Sequence, residues 1–262
     1  MKAMIGVFDS GVGGLSVLSH IRDELPRADL FYFADQGRAP YGIKSLDEVA
    51  AMSAQVTEWL LGRGAMAIVI ACNTASAAAL HLLRAQHPEV PFVGMEPAVK
   101  PAAMATNTGV IGVLATSATF QGELFASVVE RHAGGARVLA QACPRWVEVV
   151  ESGRLDGPET EAAVGACLQP LLDQGADTLV LGCTHFAFLM PVIRRIAGPD
   201  VTILEPAPAI ARQVIRIAPA LDGHGELMMA TSGDPSRLEY FAEHVVGIRP
   251  TRPALAWRWN EK

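Results

Sequence analysis

The sequence lacks the features of a membrane, secreted or nucleic-acid-binding protein. Its apolar runs break after about six to eight residues, whereas a helix that spans a bilayer needs about 20. No basic segment followed by a long apolar stretch opens the chain, so we expect a cytoplasmic protein. With 21 Lys and Arg against 27 Asp and Glu, the net charge is -6 and no basic run occurs, which argues against nucleic acid or an anionic membrane as a partner.

Cysteine is also scarce, and no two cysteines form a C-x-x-C pair. The four cysteines are Cys72, Cys143, Cys167 and Cys183. In a reducing compartment we expect free thiols, so burial or reactivity decides the role of each. Cys143 precedes a proline and Cys167 lies in an amphipathic helical pattern, so we interpret both as packed side chains.

Short apolar runs alternate with helical patterns along the whole chain. Examples are "MIGVF" before 13–25, "AIVIA" before 74–86 and "TLVLG" before 185–197. This alternation predicts an α/β fold with doubly wound, mainly parallel sheets whose faces are covered by helices.

An internal similarity indicates two lobes. "IGVFDSG" at 5–11 resembles "IGVLATS" at 111–117, and two further strands end on cysteines. We predict two similar α/β lobes with a pseudo-twofold relation, the first formed by 1–96 plus 209–262 and the second by 97–208. The site is expected in the cleft between them, because loops after parallel strands line such sites.

Polar residues follow the first two predicted strands. "FDSGVGG" places Asp9 and Ser10 before a glycine-rich helix start, where backbone N–H groups suit a carboxylate or phosphate. It lacks the spacing of a dinucleotide fingerprint or a P-loop. In the turn "RAPYG", Tyr41 can offer a hydroxyl or Gly42 an N–H to a ligand, and Arg38 can pair with an acid.

"ACNTAS" and "GCTHF" each place a thiol, Cys72 and Cys183, where a strand meets a helix. A helix N-terminus stabilises negative charge by about 0.3 to 1 kcal/mol, and by up to about 2 when partly buried. We therefore expect thiol pKa values lowered by up to about one unit. The neighbours that can form hydrogen bonds or carry a proton are Asn73, Thr74, Thr184 and His185.

Four chemistries can use these groups. A zinc site of Cys72, Cys183, His185 and Asp9 matches no closed zinc spacing, and a disulfide is disfavoured in the cytoplasm. A Cys-His hydrolase leaves the second thiol unexplained. Two opposed acid/base thiols suit a racemase or epimerase, which removes a proton from one face of a carbon and returns one to the other.

Lysine is too rare to favour pyridoxal phosphate, which needs a Schiff-base lysine. The lysines are Lys2, Lys44, Lys100 and Lys262, and none follows a predicted strand within a motif. We therefore favour a route without cofactor or metal.

Six motifs in order resemble the bacterial glutamate racemase family over nearly the whole chain. They are "FDSGVGGLSV", "RAPYG", "ACNTAS", "GMEPAVKPA", "LGCTHF" and "TSGD". The resemblance implies cofactor-independent interconversion of L- and D-glutamate on two flavodoxin-like lobes. It also implies a supply of D-glutamate for peptidoglycan, and hence a role in cell wall biogenesis and cell shape.

The resemblance further implies roles for individual residues. Cys72 acts on the D-enantiomer with Asp9 beside it, Cys183 acts on the L-enantiomer with His185 beside it, and Glu151 is a further acidic group near the site. The implied substrate-binding residues are Asp9, Ser10, Tyr41, Gly42, Asn73, Thr74, Thr184 and His185. The alternative is an aspartate racemase or related two-cysteine isomerase. The expected partner is the small-molecule substrate, with a homodimer left open.

Overall fold

Short, mostly buried strands form two separate parallel sheets in this computed structural model, which describes residues 4–217 and 223–259. The strands are β1 (Met4–Asp9), β2 (Asp29–Ala34), β3 (Ala65–Ile70), β4 (Phe92–Gly94), β5 (Val110–Ala115), β6 (Arg137–Ala142), β7 (Thr178–Leu181), β8 (Thr202–Leu204), β9 (Leu227–Thr231) and β10 (Leu255–Ala256). Every pairing among them is parallel. The α/β class with parallel sheets is therefore confirmed.

Helices connect almost all of these strands. They are α1 (Leu15–Glu24), α2 (Leu46–Leu61), α3 (Asn73–Gln86), α4 (Val99–Ala105), α5 (Ser117–Gln121), α6 (Glu123–His132), α7 (Pro144–Glu151), α8 (Pro158–Leu172), α9 (Met190–Ala197), α10 (Ala207–Ile217) and α11 (Pro235–Phe241). Helices α5 and α6 are separated at Gly122, whose backbone is extended. The helix expected over 185–197 starts with a 3-10 turn, Thr184–Leu189.

The two sheets share one strand order. The first runs β10-β9-β2-β1-β3-β4 and the second β6-β5-β7-β8. The order β2-β1-β3-β4 is thus repeated, so β1 corresponds to β5 and β3 to β7. In each sheet the chain moves to one side of the first strand and then crosses to the other, and ligands bind at such a switch point. The polar residues after β1, β3, β5 and β7 lie at these two points.

The strands do not settle the predicted lobe boundaries. The strands of the second sheet lie between residues 110 and 204, and β9 returns to the first sheet by pairing with β2. The predicted boundary at 208/209 falls inside α10, which packs on α1. The division into 1–96 plus 209–262 and 97–208 remains a prediction.

One buried apolar cluster contains residues of both sheets and their helices. Leu15 and Ile21 of α1 belong to it together with Trp146 of α7 and Phe186 and Leu189 of the turn after β7. Burial of apolar surface therefore holds the two sheets against each other behind their strand ends. Among residues 4–217 and 223–259, no helix is both long and apolar enough to cross a bilayer.

Helix α2 starts at a capping box formed by Ser45 and Glu48. The Ser45 hydroxyl accepts a hydrogen bond from the Glu48 N–H at 3.3 Å, and the Glu48 carboxylate accepts one from the Ser45 N–H at 3.0 Å. These bonds satisfy backbone donors that a helix start leaves open.

Replacing Ser45 with Ala should lower the free energy of unfolding by about 1 kcal/mol, because the cap is lost. Urea denaturation of the purified variants measures this change. Ser127→Ala inside α6 is the matched control and should change stability by less than about 0.5 kcal/mol. Equal stability of the Ser45 variant and wild type would contradict the assigned cap.

Candidate active site

The first thiol belongs to Cys72, the buried N-cap residue of α3. Its sulfur accepts a hydrogen bond from the Ala75 N–H at 3.4 Å and lies 3.8 Å from the Ser10 hydroxyl oxygen. Burial, followed by the charge of Asp9, raises the pKa of Cys72 to about 12. The expectation of a lowered pKa is wrong for this thiol, since desolvation outweighs the helix N-terminus.

The second thiol, Cys183, follows β7 and lies 3.9 Å from Nδ1 of His185. The other ring nitrogen of His185, Nε2, lies 2.8 Å from Oε1 of Glu151. Burial alone would lower the pKa of His185, but the hydrogen bonds with Cys183 and Glu151 and the charges of Cys183 and Asp9 raise it well above its ordinary value. The imidazole is thus held between a sulfur and a carboxylate as a protonated group.

Glu151 ends α7 and joins this part of the site to the loop after β1. Its Oε1 accepts a hydrogen bond from the Val12 N–H at 2.8 Å, and its Oε2 accepts one from the Gln36 amide at 3.2 Å. Burial opposes its ionisation, but the hydrogen bond and charge of His185 and the bonds from Val12 and Gln36 keep the pKa of Glu151 below its usual value. The resemblance placed Glu151 near the site, and the structure gives it a direct bond to His185.

Glycine is required in the loop after β1 because the Glu151 and His185 side chains lie directly against it. A Cβ atom at Gly11 would collide with Oε1 of Glu151, and one at Gly13 would collide with the His185 ring. The spacing of "SGVGG" therefore reflects close approach of the second sheet's side chains, in addition to the turn itself.

Asp9 ends β1 and binds the second sheet directly. Its Oδ2 accepts a hydrogen bond from the Thr184 hydroxyl at 2.9 Å, and its Oδ1 accepts one from the Gly11 N–H at 2.8 Å. Burial raises the pKa of Asp9 above its usual value, although the charge of His185 and both hydrogen bonds oppose this. Asp9 therefore lies beside Cys72 while it is bonded to the residue after Cys183.

Thr74 is bonded to two threonines that the sequence reasoning did not select. Its hydroxyl lies 2.9 Å from that of Thr116 and 3.3 Å from that of Thr119, which are 2.9 Å from each other. Thr116 follows β5, the counterpart of β1, so the similarity between "IGVFDSG" and "IGVLATS" was the signal that could have found it.

Asn73 has a buried side chain whose Oδ1 and Nδ2 have no hydrogen-bond partner within the described part of the chain. An unpaired buried amide costs about 1 to 3 kcal/mol. Since it stands next to Cys72 at a strand end, the amide is available to a bound molecule.

Two side chains of the "RAPYG" segment bind one buried carboxylate. The Tyr41 hydroxyl donates to Asp35, a buried carboxylate, and Arg38 Nε donates to the same group at 2.7 Å. The ion pair of Arg38 with Asp35 confirms the expected pairing with an acid, and the Tyr41 hydroxyl already has a partner within the protein. The N–H groups of Tyr41 and Gly42, which begin a 3-10 turn at Tyr41–Ile43, remain suited to an anion, because the first N–H groups of a helical turn have no partner within it.

Several cavities lie near the junction of the sheets. One of about 290 Å³ opens beside Glu151 and is lined by Gln36, Ala39, Pro40, Val147, Glu148, Glu151, Gly233, Asp234 and Arg237. Another of about 540 Å³ lies where the chain crosses between the sheets, around Glu96 and Pro206, and none of the predicted site residues lines it. The described residues contain no group of three or more His, Cys, Asp or Glu side chains that could hold a metal ion.

Comparison with known proteins identifies relatives over most of the chain. The sequence profile of the Asp/Glu/Hydantoin racemase family matches residues 5–214. A curated glutamate racemase of Roseiflexus sp. (strain RS-1) is 52% identical over 240 residues, which are 89% of this chain and 88% of the relative.

Two solved structures are similar over nearly their full length. A glutamate racemase isoform from Bacillus anthracis superposes with a TM-score of 0.88 at 33% identity, covering 99% of both chains. Escherichia coli glutamate racemase, in complex with L-glutamate and the activator UDP-MurNAc-ala, has a TM-score of 0.87 at 28% identity and covers 98% of this chain and 99% of its own.

Replacing Glu151 with Gln should lower the pKa of His185 toward its ordinary value, because the variant loses the carboxylate charge that favours the imidazolium. A ¹⁵N NMR titration of the imidazole measures this change. Glu148→Gln, an exposed position on the same helix, is the control and should leave the titration unchanged. An identical His185 titration in Glu151→Gln and wild type would contradict the Glu151–His185 interaction.

Proposed function

Because the chain belongs to the Asp/Glu/Hydantoin racemase family, we propose that it interconverts L- and D-glutamate by proton transfer at the α-carbon, without a cofactor. The observation that carries the proposal is the placement of Cys72 and Cys183 after corresponding strands of two sheets with the same strand order. They are near enough for the charge of Cys183 to raise the pKa of Cys72. Inversion of a carbon needs one acid and one base on opposite faces, and two such thiols supply them.

The two thiols differ in the charged groups beside them. Since the pKa of Cys72 is raised to about 12, this group is a thiol at neutral pH and carries the proton that is donated to the α-carbon. Cys183 faces His185, whose raised pKa keeps the ring protonated, so that an imidazolium lies 3.9 Å from the sulfur. In the direction from L- to D-glutamate, Cys183 as thiolate removes the α-proton and the Cys72 thiol protonates the opposite face. In the reverse direction the roles exchange.

Asp9 and His185 are the groups that can exchange protons with the two thiols. Asp9, whose pKa is raised by burial, can hold a proton beside Cys72, while Glu151 keeps His185 oriented towards Cys183. Each thiol therefore has its own proton-carrying neighbour.

Neutral donors account for binding of the substrate carboxylates. The Asn73 amide is buried and unpaired, Ser10 lies beside the Cys72 sulfur, and the first N–H groups of Tyr41–Ile43 face no intrahelical acceptor. Arg38 is paired with Asp35, so its charge is already balanced. Hydrogen bonds to a carboxylate are stronger than bonds between neutral groups, so an arginine is not required.

The proposed biological role is supply of D-glutamate for peptidoglycan. The partner in this role is a small-molecule substrate, and the alternative substrate is aspartate, which is shorter by one methylene. An isotope experiment separates these substrates.

Incubation with L-glutamate in deuterium oxide should place deuterium at the α-carbon of the D-product, while recovered L-glutamate initially keeps its α-proton. This result is expected because one thiol removes the proton and a second, exchanged thiol returns deuterium. Proton NMR combined with chiral chromatography measures both pools. L-Aspartate is incubated in the same way. Deuterium exchange into aspartate but not into glutamate would overturn the proposal in favour of aspartate, and no exchange into either amino acid would indicate a binding protein.

Cys72→Ser and Cys183→Ser should each lower kcat for racemisation by about 10²- to 10⁴-fold, because a hydroxyl is a much poorer proton-transfer group at neutral pH. Circular dichroism of a glutamate solution incubated with each purified variant measures the loss of optical activity of the substrate. Cys167→Ser, in α8, is the matched thiol control and should stay within about twofold of wild type. Full activity of either of the first two variants would rule out the two-thiol mechanism and favour a single reactive cysteine.

A further inference from the structure

The end of the described chain packs on the first sheet beside the site. After β10, which pairs with β9, the chain continues through Trp257 and Trp259. The Trp259 ring packs edge-on against Phe33 with centroids 5.5 Å apart, and the guanidinium of Arg38 lies 3.9 Å above it. This segment belongs to none of the strand-end motifs.

Trp259 is bonded to Asp35, the carboxylate that Arg38 and Tyr41 also contact. Its indole N–H donates to Asp35 Oδ1 at 2.9 Å. The Ser232 hydroxyl donates to the same oxygen at 2.6 Å, while Arg38 and Tyr41 donate to the other oxygen. Asp35 is fully buried, at 0% exposure. A buried carboxylate needs such donors, so loss of one of them disturbs how the carboxylate is held.

Asp35 links Trp259 to the segment that carries the Tyr41 and Gly42 N–H groups. The Tyr41 hydroxyl donates to Asp35, and Gly42 lies so close to Thr116 that a Cβ atom there would be 2.5 Å from the Thr116 Cβ. The segment is therefore fixed by Asp35 on one side and by the second sheet on the other. Because Asp35 holds the Tyr41 hydroxyl, we expect a displacement of Asp35 to shift Tyr41 and the backbone N–H groups of Tyr41 and Gly42.

We propose that the indole N–H of Trp259 is a positioning group for substrate: by holding Asp35 it fixes the Tyr41–Gly42 backbone that binds a substrate carboxylate. This inference rests on the proposed function. Trp259 is a positioning residue, because it acts through Asp35 and Tyr41. Among the residues that the structure describes, the contacts of Trp259 are with Asp35, Phe33, Arg38 and Trp257, and they include neither Asp9 nor His185. Substitution of Trp259 should therefore change substrate binding and leave proton transfer unchanged.

Trp259→Phe removes the N–H and keeps an aromatic ring under Arg38. Its KM for L-glutamate should rise about 5- to 10-fold, less than the full loss of one hydrogen bond to a charged group because Trp259 does not itself contact the substrate, while kcat stays within about twofold. Steady-state racemisation assays in both directions measure this split.

Trp257→Phe is the matched control. The Trp257 ring packs on Trp59 with centroids 5.6 Å apart, yet its Nε1 is buried without a partner in the described residues. The control therefore loses similar aromatic area but no hydrogen bond, and its KM and kcat should both stay within about twofold of wild type.

A Tyr41→Phe variant tests whether Trp259 acts through Asp35. If both side chains act through that carboxylate, the KM effect of Trp259→Phe should be reduced in the Tyr41→Phe background. Independent packing effects would instead multiply.

An isosteric replacement covers the case in which Trp259→Phe fails to fold. Benzothienylalanine at position 259, incorporated by suppression of a stop codon, has sulfur in place of the N–H and retains the ring shape. It should reproduce the KM increase.

The outcomes separate the two proposals. An active wild type with an unchanged KM in the benzothienylalanine protein overturns the role of Trp259 alone, as does a fall in kcat without a rise in KM. A wild type that does not racemise glutamate overturns the proposed function together with this inference.

Discussion

Hydrogen bonds across the carboxyl ends of two parallel sheets are the constraint on which the rest of the site depends. Thr184 binds Asp9, Glu151 binds the Val12 N–H, and Thr74 lies within hydrogen-bond distance of Thr116. Each pair joins the two sheets, and each is buried or partly buried, where a lost bond leaves an unpaired polar group. The relative placement of the two thiols is therefore set by directional bonds as well as by the shared apolar cluster behind them.

The repeated strand order brings the thiols to corresponding places, but their surroundings differ. Cys72 has a carboxylate close by, and together with burial this keeps its proton on. Cys183 has an imidazole that is itself bonded to Glu151. A symmetric fold thus presents two chemically different proton carriers, which suits a reaction whose two directions begin from different enantiomers.

Strand ends could be predicted from the sequence, because apolar runs and the small or polar residues after them are local signals. Cys72 and Cys183 were found in this way. Contacts between distant parts of the chain could not be predicted in this way, since the bond from Glu151 to His185 and the one from Trp259 to Asp35 join residues far apart in sequence. The pKa of Cys72 was also beyond a local argument, because the helix N-terminus is visible in sequence while burial beside Asp9 is not. The strand β10 has only two residues, both exposed, and left no hydrophobic pattern.

The unpaired amide of Asn73 has a consequence for selectivity. A molecule that fills the space beside Cys72 without polar groups leaves that amide buried and unpaired, and so binds with a penalty that shape complementarity does not recover. A molecule with a matching carboxylate or ammonium group removes the penalty. Rejection of apolar molecules of similar size is therefore built into the protein by a residue next to the thiol.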